Sequence, residues 1–159
     1  MSSSDLQEGW CRYFAFGSNM SQERMVARIH EAVSEGRAEL KDWALTLNKR
    51  GADGTAKANI ERTAGSTVWG VVYRFPEACL SQLDRFEGGY ERITVTVTNA
   101  DRQRLSCACY ASDTLLENGA CFDWYKQHML DGAREHGLPA NYIAMLDAVA
   151  HCPSGSPGV

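Results

Sequence analysis

The sequence predicts a single α+β domain whose strands are mostly antiparallel and can close into a small mixed barrel with peripheral helices. Three observations predict this fold class. The length of 159 residues suits one domain, because a chain of about 150 residues buries most of its unfolded surface around one core. Hydrophobic residues make up 44% of the chain and charged residues 23%, which is a globular balance. Segments of alternating apolar residues, five to seven in number, are interleaved with three or four segments of helical periodicity.

The first element is an aromatic strand that ends in a turn. Residues 12–16 (RYFAF) run into residues 17–19 (GSN), which is typical of a strand followed by a tight turn. Asn19 or Ser21 can cap the helix that follows, because short polar side chains satisfy the unpaired amides of a first helical turn.

A helix and a second strand are expected next. Gly36 ends the helix, a half-buried strand covers residues 43–47, and residues 48–57 (NKRGADGTAK) read as a Gly-rich loop. The helix itself is predicted from three apolar residues with helical spacing: Val26, Ile29 and Val33.

The rest of the chain alternates between strands and helices. Residues 68–75 (VWGVVYRF) form the most hydrophobic strand candidate. Alternation on both sides of residues 99–101 predicts an antiparallel hairpin of residues 93–97 and 105–109. Helical periodicity predicts three further helices, at residues 80–86, 124–135 and 142–149.

The two ends of the chain are expected to lie outside the domain. We assign residues 1–11 to a flexible N-terminus, residues 12–151 to the domain and residues 152–159 to a flexible tail rich in Pro, Gly and Ser. The first residues are polar and acidic and lack the basic and apolar regions of a secretory signal. A cytoplasmic location is therefore expected.

Charge and cysteine content narrow the classes of partner. A net charge of −4 argues against nucleic acid and anionic membranes, and no apolar stretch is long enough to span a bilayer. The cysteines are expected to be free thiols without a metal or redox role, because they form no zinc-ligand spacing. There are six: Cys11, Cys79, Cys107, Cys109, Cys121 and Cys152.

Two places in the sequence are candidates for chemistry. The turn at residues 16–19 offers backbone amides that suit a carboxylate or an oxyanion, although a plain capped turn would have the same pattern. Glu87 follows an apolar helix face, where desolvation would raise its pKa and suit it to proton transfer. A solvated glutamate in a turn would also fit that position.

Two further segments allow both a functional and a structural interpretation. Residues 48–59 can form a wall over a pocket or a plain surface connection. Tyr125 can bind a ligand through its hydroxyl or lie at the edge of the core.

Four blocks in order resemble the γ-glutamylcyclotransferase family. They are residues 13–18 (YFAFGS) completed by Asn19, residues 67–74 (TVWGVVYR), residues 83–92 (LDRFEGGYER) and residues 125–142 (YKQHMLDGAREHGLPANY). The family loop usually reads Tyr-Gly-Ser-Asn, so Phe16 stands in place of a tyrosine and lacks its hydroxyl.

The resemblance implies a small mixed barrel that converts a γ-glutamyl amino acid or amine into 5-oxoproline and the free amine. It implies Glu87 as the general base and acid, no cofactor and no metal. It also implies a small-molecule substrate and a monomer or homodimer. The substrate-binding residues that it implies are Tyr13, Phe14, Ala15, Phe16, Gly17, Ser18, Asn19 and Tyr125.

Three alternatives to this reading remain. The same fold can remove a γ-glutamyl group from one specific pathway amine, or it can serve as a non-catalytic binding protein that retains the pocket. A glutathione-specific enzyme is less expected, because the related group that cleaves glutathione usually has leucine at the position of Asn19.

Overall fold

A closed five-stranded barrel is the centre of the fold in a computed structural model that describes residues 6–113, 115 and 119–153. Its strands are β1 (Trp10–Ala15), β2 (Val33–Arg50), β3 (Ala56–Pro76), β4 (Glu91–Asn99) and β5 (Arg104–Ala111). They lie in the order β1-β3-β2-β4-β5 with antiparallel neighbours, and β1 closes the barrel by pairing in parallel with β5 at Tyr13 and Ala108. The predicted α+β class with a small, mostly antiparallel barrel is confirmed.

Four helices and a small second sheet surround the barrel. The predicted helices after β3 and the β4–β5 hairpin are confirmed, with ends shifted by one or two residues. Two short strands, β6 (Cys121–Phe122) and β7 (His151–Cys152), pair in parallel. The helices are α1 (Gln22–Arg28), α2 (Leu80–Phe86), α3 (Asp123–Glu135) and α4 (Ala140–Asp147).

Helix α1 is shorter than the apolar spacing predicts. It ends at Arg28, and Val33 is the first residue of β2, with 39% of its surface exposed. Gly36 does not stop a helix but sits in a bulge of β2, where its positive φ of 94° suits glycine. The prediction of a helix to Gly36 is wrong, because pairing with β3 overrides a spacing that three apolar residues satisfy by coincidence.

The predicted loop at residues 48–57 is mostly strand. β2 continues to Arg50 and β3 begins at Ala56, so the connection covers only residues 51–55. Lys49 lies opposite Lys57 in this long two-stranded arm. Cross-strand pairing extends the arm into polar sequence, and the Gly and Asp residues are concentrated in the short turn.

Helix α3 holds the turn after β1 against the barrel. That turn is a short 3₁₀ helix, Ser18–Met20, and the hydroxyl of Tyr73 on β3 donates to the carbonyl oxygen of Met20 at 2.9 Å. Gly132 of α3 packs so closely on the turn that a Cβ there would lie 2.2 Å from the carbonyl carbon of Met20. The path of the chain after β1 is therefore set by contacts on two sides.

The remaining predictions concern the ends and the cysteines. Residues 1–5 and 154–159 lie outside the described residues, while β1 begins at Trp10 and β7 includes Cys152. All six cysteines are free thiols, and Cys107, Cys109 and Cys121 are buried. Within residues 6–113, 115 and 119–153, no helix is long and apolar enough to cross a membrane, and no cluster of three His, Cys, Asp or Glu is arranged to hold a metal.

Candidate active site

The turn after β1 forms one wall of a cavity of about 540 Å³. Ser21, not Asn19, caps α1 by accepting from the amide of Arg24 at 3.4 Å. The first amide that the turn uses internally is that of Met20, which donates to the carbonyl of Gly17 at 3.1 Å. The amides of Gly17 and Ser18 thus precede the internal hydrogen bonds of the turn, at residues that line the cavity.

Gly17 makes a close approach that leaves no room for a side chain. A Cβ at this position would lie 2.9 Å from the hydroxyl oxygen of Tyr125 and 3.0 Å from the Cβ of Ala58. The absence of a side chain lets the turn pack directly against the tyrosine hydroxyl.

Glu87 lies at the C-terminal end of α2 and turns its carboxylate into the same cavity. Its side chain is 12% exposed, and Oε1 accepts from Nδ2 of Asn19 at 2.9 Å. The guanidinium of Arg28 lies 3.7 Å from the same oxygen. Burial raises the pKa of Glu87 above its ordinary value of 4.5, and the nearby charges of Arg28, Arg24 and Lys49 oppose that rise.

Asn19 has one polar atom without a partner. Its Nδ2 donates to Glu87 and to the hydroxyl oxygen of Tyr13, at 2.9 and 3.2 Å. Its Oδ1 is buried and has no hydrogen-bond partner among the described residues. Nδ2 of Asn19 thus fixes the carboxylate of Glu87 at the cavity, where that carboxylate is an acceptor that suits an ammonium group.

Tyrosine hydroxyls occupy the wall formed by β3. The hydroxyl of Tyr125 accepts from the amide of Ala58 at 3.0 Å, and that of Tyr90 donates to the carbonyl of the same residue at 2.6 Å. Burial raises the pKa of Tyr125 to about 12, so its hydroxyl stays protonated at neutral pH. It can therefore donate to a ligand.

Most of the predicted site residues meet in this cavity. Phe14 and Ala15 are buried in the core and are not among the residues that line it. Successive strand residues point to opposite faces, and the ring of Phe14 packs over Gly70, where a Cβ would lie 2.8 Å from it. The predicted residues that do line the cavity are Tyr13, Phe16, Gly17, Ser18, Asn19, Glu87 and Tyr125.

Basic residues of the cavity carry no motif in the sequence and were not predicted. The arm formed by β2 and β3 forms part of the cavity wall, which is one of the two interpretations of residues 48–59. The arm residues that line the cavity are 49, 51–53, 57 and 58. The spacing of Arg24 and Arg28, one helical turn apart on α1, was a signal that both point to one side. Among the described residues, two carboxylates line the cavity, Asp53 and Glu87, together with five cations: Arg24, Arg28, Lys49, Lys57 and Arg85.

The arrangement of these groups defines the chemistry available. A partly desolvated carboxylate can move a proton, and the backbone amides beside it can hold an anion or a developing oxyanion. An excess of cations attracts a substrate that carries carboxylates. The cavity therefore suits general acid–base chemistry on a small zwitterionic or anionic molecule.

The chain is similar to a described family, to named proteins and to solved structures. Residues 67–146 match the AIG2-like family. A γ-glutamylcyclotransferase of Bos taurus is 34% identical over 146 residues, which cover 86% of this chain and 77% of that protein. The protein of the same name in Homo sapiens is 33% identical with the same coverage. A solved structure of a γ-glutamyl cyclotransferase superposes with a TM-score of 0.82 at 29% identity, covering 94% of this chain and 92% of that one.

Proposed function

Because the chain belongs to the γ-glutamylcyclotransferase family, we propose that it converts γ-glutamyl amino acids or γ-glutamyl amines into 5-oxoproline and the free amine. Glu87 is the general base and acid of this reaction. The observation that supports the proposal most is the position of this carboxylate, 12% exposed and in one cavity with the turn at Gly17 and Ser18.

The substrate supplies its own nucleophile. Its α-amine attacks the γ-carbonyl carbon and forms a five-membered lactam, and the bond from that carbon to the leaving nitrogen breaks. Both reacting groups belong to one molecule, so holding them in the right geometry removes much of the entropic cost of the reaction. No water is consumed and no cofactor takes part.

Glu87 moves protons from the attacking nitrogen to the leaving nitrogen. The α-ammonium loses two protons when it becomes the N–H of the lactam. The carboxylate accepts the first, which makes the amine nucleophilic, and donates it to the leaving nitrogen; the second leaves the ring nitrogen after the attack and protonates the released amine. Nδ2 of Asn19 donates to this carboxylate and holds it in place beside the ammonium. General acid–base catalysis of this kind contributes about 10²–10⁴-fold in rate.

The other site residues bind and position the substrate. Backbone amides of Phe16, Gly17 and Ser18 hold the α-carboxylate or the developing oxyanion, because unpaired amides stabilise negative charge. The hydroxyl of Tyr125, which lies beside Gly17, donates to the substrate. Tyr13 orients Asn19.

Two predicted substrate-binding residues receive a supporting role. Phe14 and Ala15 keep β1 in place within the core, which agrees with their burial away from the cavity.

We also propose that the protein is cytosolic, acts on a small molecule and has neither nucleic acid nor membrane as a partner, as a monomer or homodimer with one domain over residues 12–151. Its net charge of −4 and its six free thiols support this setting. Light scattering of the purified chain measures the oligomeric state, and fractionation of the source cells measures the compartment.

Mass spectrometry of the products tests the reaction. The protein is incubated with a panel of γ-glutamyl amino acids and γ-glutamyl amines, and 5-oxoproline is expected without incorporation of oxygen from labelled water. Release of labelled glutamate would identify a hydrolase, and release of neither product would overturn the proposal.

Removal of the carboxylate tests the role of Glu87. We expect Glu87→Gln to lower kcat by about 10²–10⁴-fold, because an amide does not accept a proton at neutral pH. Glu91→Gln is the matched control, since Glu91 is exposed at the start of β4. Full activity of Glu87→Gln would overturn its role as general base.

A further inference from the structure

Lys49 is a buried cation that lines the cavity and has no carboxylate partner among the described residues. It lies near the tip of the arm, and only 4% of its surface is exposed. Its Nζ donates to the carbonyl of Gly88 at 2.8 Å and lies 4.6 Å from the centre of the Tyr90 ring. Within the described part of the chain, no carboxylate lies at ion-pair distance from it. An ammonium has three N–H donors, and within the described residues this one makes a single hydrogen bond.

The two carboxylates of the cavity are engaged elsewhere. Asp53 accepts from Nζ of Lys57 at 3.2 Å, and Glu87 lies 3.7 Å from Arg28. Burial lowers the pKa of Lys49, and the charges of Glu87 and Asp53, which lie beyond ion-pair distance, oppose that shift only in part. A buried charge without an adjacent counter-charge is costly, so the environment of Lys49 favours an anion from outside the chain.

Arg24, on a different wall, is a second cation that has no carboxylate partner in the described part of the chain. Nε of Arg24 donates to the hydroxyl oxygen of Ser18 at 2.9 Å, and no carboxylate of the described residues lies at ion-pair distance from its guanidinium. Arg24 is hydrogen-bonded to the turn after β1, whereas Lys49 is hydrogen-bonded to Gly88, the residue directly after Glu87. As far as the described residues show, the cavity thus has a cation without an ion-pair partner on each of two walls, and Glu87 lines the same cavity.

We infer that Lys49 binds a carboxylate of the leaving group, so that the preferred substrate is a γ-glutamyl amino acid with a free C-terminal carboxylate and not a neutral γ-glutamyl amine. This inference rests on the proposed function, because it assigns the two carboxylates of such a substrate to two walls. The α-carboxylate of the glutamyl moiety lies toward Ser18 and Arg24. The second carboxylate lies beyond the scissile amide and reaches Lys49.

Binding of unreactive analogues isolates this contact from catalysis. Glutaryl-alanine retains both carboxylates but lacks the α-amine, so it cannot cyclise, and glutaryl-alaninamide lacks the second carboxylate. By calorimetry, wild type is expected to bind the acid about ten- to a hundredfold more tightly than the amide, which is the typical value of a hydrogen bond to a charged group. Equal affinity of wild type for the two ligands would overturn the inference.

Substitution of Lys49 then assigns the preference to its ammonium. Lys49→Met has a side chain of similar length without the charge. It is expected to bind glutaryl-alanine more weakly and glutaryl-alaninamide as tightly as wild type, so the preference is lost. Lys49→Arg is expected to retain the preference. Lys41→Met is the control, because Lys41 lies on the same strand with 67% of its side chain exposed. Lys49→Gln is a second neutral variant, and urea unfolding checks that each variant is folded. The inference would be overturned if the variants lost affinity for both ligands to the same degree. It would also be overturned if both neutral variants still bound the acid more tightly than the amide.

Turnover separates this inference from the proposed function. Release of 5-oxoproline is measured for γ-glutamyl-alanine and γ-glutamyl-alaninamide with wild type and Lys49→Met. A Lys49-dependent preference in binding without any 5-oxoproline refutes the function and supports the subsite. Release of 5-oxoproline from both substrates with equal kcat/KM, unchanged by the substitution, refutes the subsite and leaves the function intact.

Discussion

Replacement of Asn19 by leucine removes the amide that holds the carboxylate of Glu87. Asn19 is 4% exposed, and its Nδ2 donates to Glu87 at 2.9 Å and to Tyr13 at 3.2 Å. Leucine has a similar volume, so the packing around the turn is largely conserved while both donated hydrogen bonds are lost. Asn19→Leu therefore changes the polarity of the position more than its shape.

The size of the effect follows from the charged partner. A hydrogen bond to a charged group contributes about 1.5–3 kcal/mol. Since about 1.4 kcal/mol is a factor of ten, kcat/KM is expected to fall by about ten- to a hundredfold. The loss of a donor to the ionised form also raises the pKa of Glu87, because the hydrogen bond from Asn19 lowers it in the wild type. The ionised base is then present only at higher pH, so the acid limb of the pH–rate profile moves to higher pH.

The assay is 5-oxoproline release from γ-glutamyl-alanine, measured as kcat/KM across the acid range. Asn141→Leu is the control, because Asn141 is exposed on α4. It should leave both the rate and the acid limb unchanged. An Asn19→Leu protein that is folded, with wild-type kcat/KM and an unmoved acid limb, would refute the reasoning.

Three other substitutions test the geometry of the fold and the site. Arg28→Met removes the charge that lowers the pKa of Glu87, so the acid limb of kcat/KM should move to higher pH; a shift to lower pH contradicts the ion pair. Gly17→Ala places a Cβ 2.9 Å from the hydroxyl of Tyr125, so the turn or the tyrosine must move. A displacement of site groups by about 1 Å is expected to lower kcat/KM by about a hundredfold. Wild-type turnover of this variant would contradict the close approach. Gly132→Ala places a Cβ 2.2 Å from the backbone of the Ser18–Met20 turn. The overpacking of about 3 kcal/mol exceeds the roughly 1 kcal/mol that alanine adds to a helix, so urea unfolding should show a net loss of stability, and a gain would contradict it.

The local pattern of apolar residues was sufficient to predict a barrel but not to predict where its strands begin and end. Alternation over residues 93–97 and 105–109 identified the β4–β5 hairpin, because its partners are close in sequence and each strand has one buried face. Val33 was misassigned because its partner Arg74 lies far along the chain and leaves no local trace. The same long-range pairing extends β2 and β3 into residues whose composition is that of a loop.

The sequence predicted the parts of the candidate site that lie in short motifs and missed those that depend on long-range contacts. The turn at residues 17–19 and the Glu87 segment are short motifs that can be compared with a family. Lys49 has no motif, and its burial depends on Gly88 and Tyr90, which reach it only after the barrel has formed. The sequence around Phe14 could not show that its ring faces the core, because both neighbours on β1 are apolar or aromatic as well.

The closure of the barrel through β1 and β5 also has a consequence for how activity is acquired during folding. Asn19 and Glu87, which share a hydrogen bond, are separated by 68 positions, and closure further requires Ala108 to reach Tyr13. Contacts of such separation form late, because the entropy of closing a long loop must be overcome first. A nascent chain that has emerged only as far as β4 lacks the strand that completes the barrel. Catalytic competence should therefore arise in a single step with the closed barrel, which makes turnover itself a reporter of the last stage of folding.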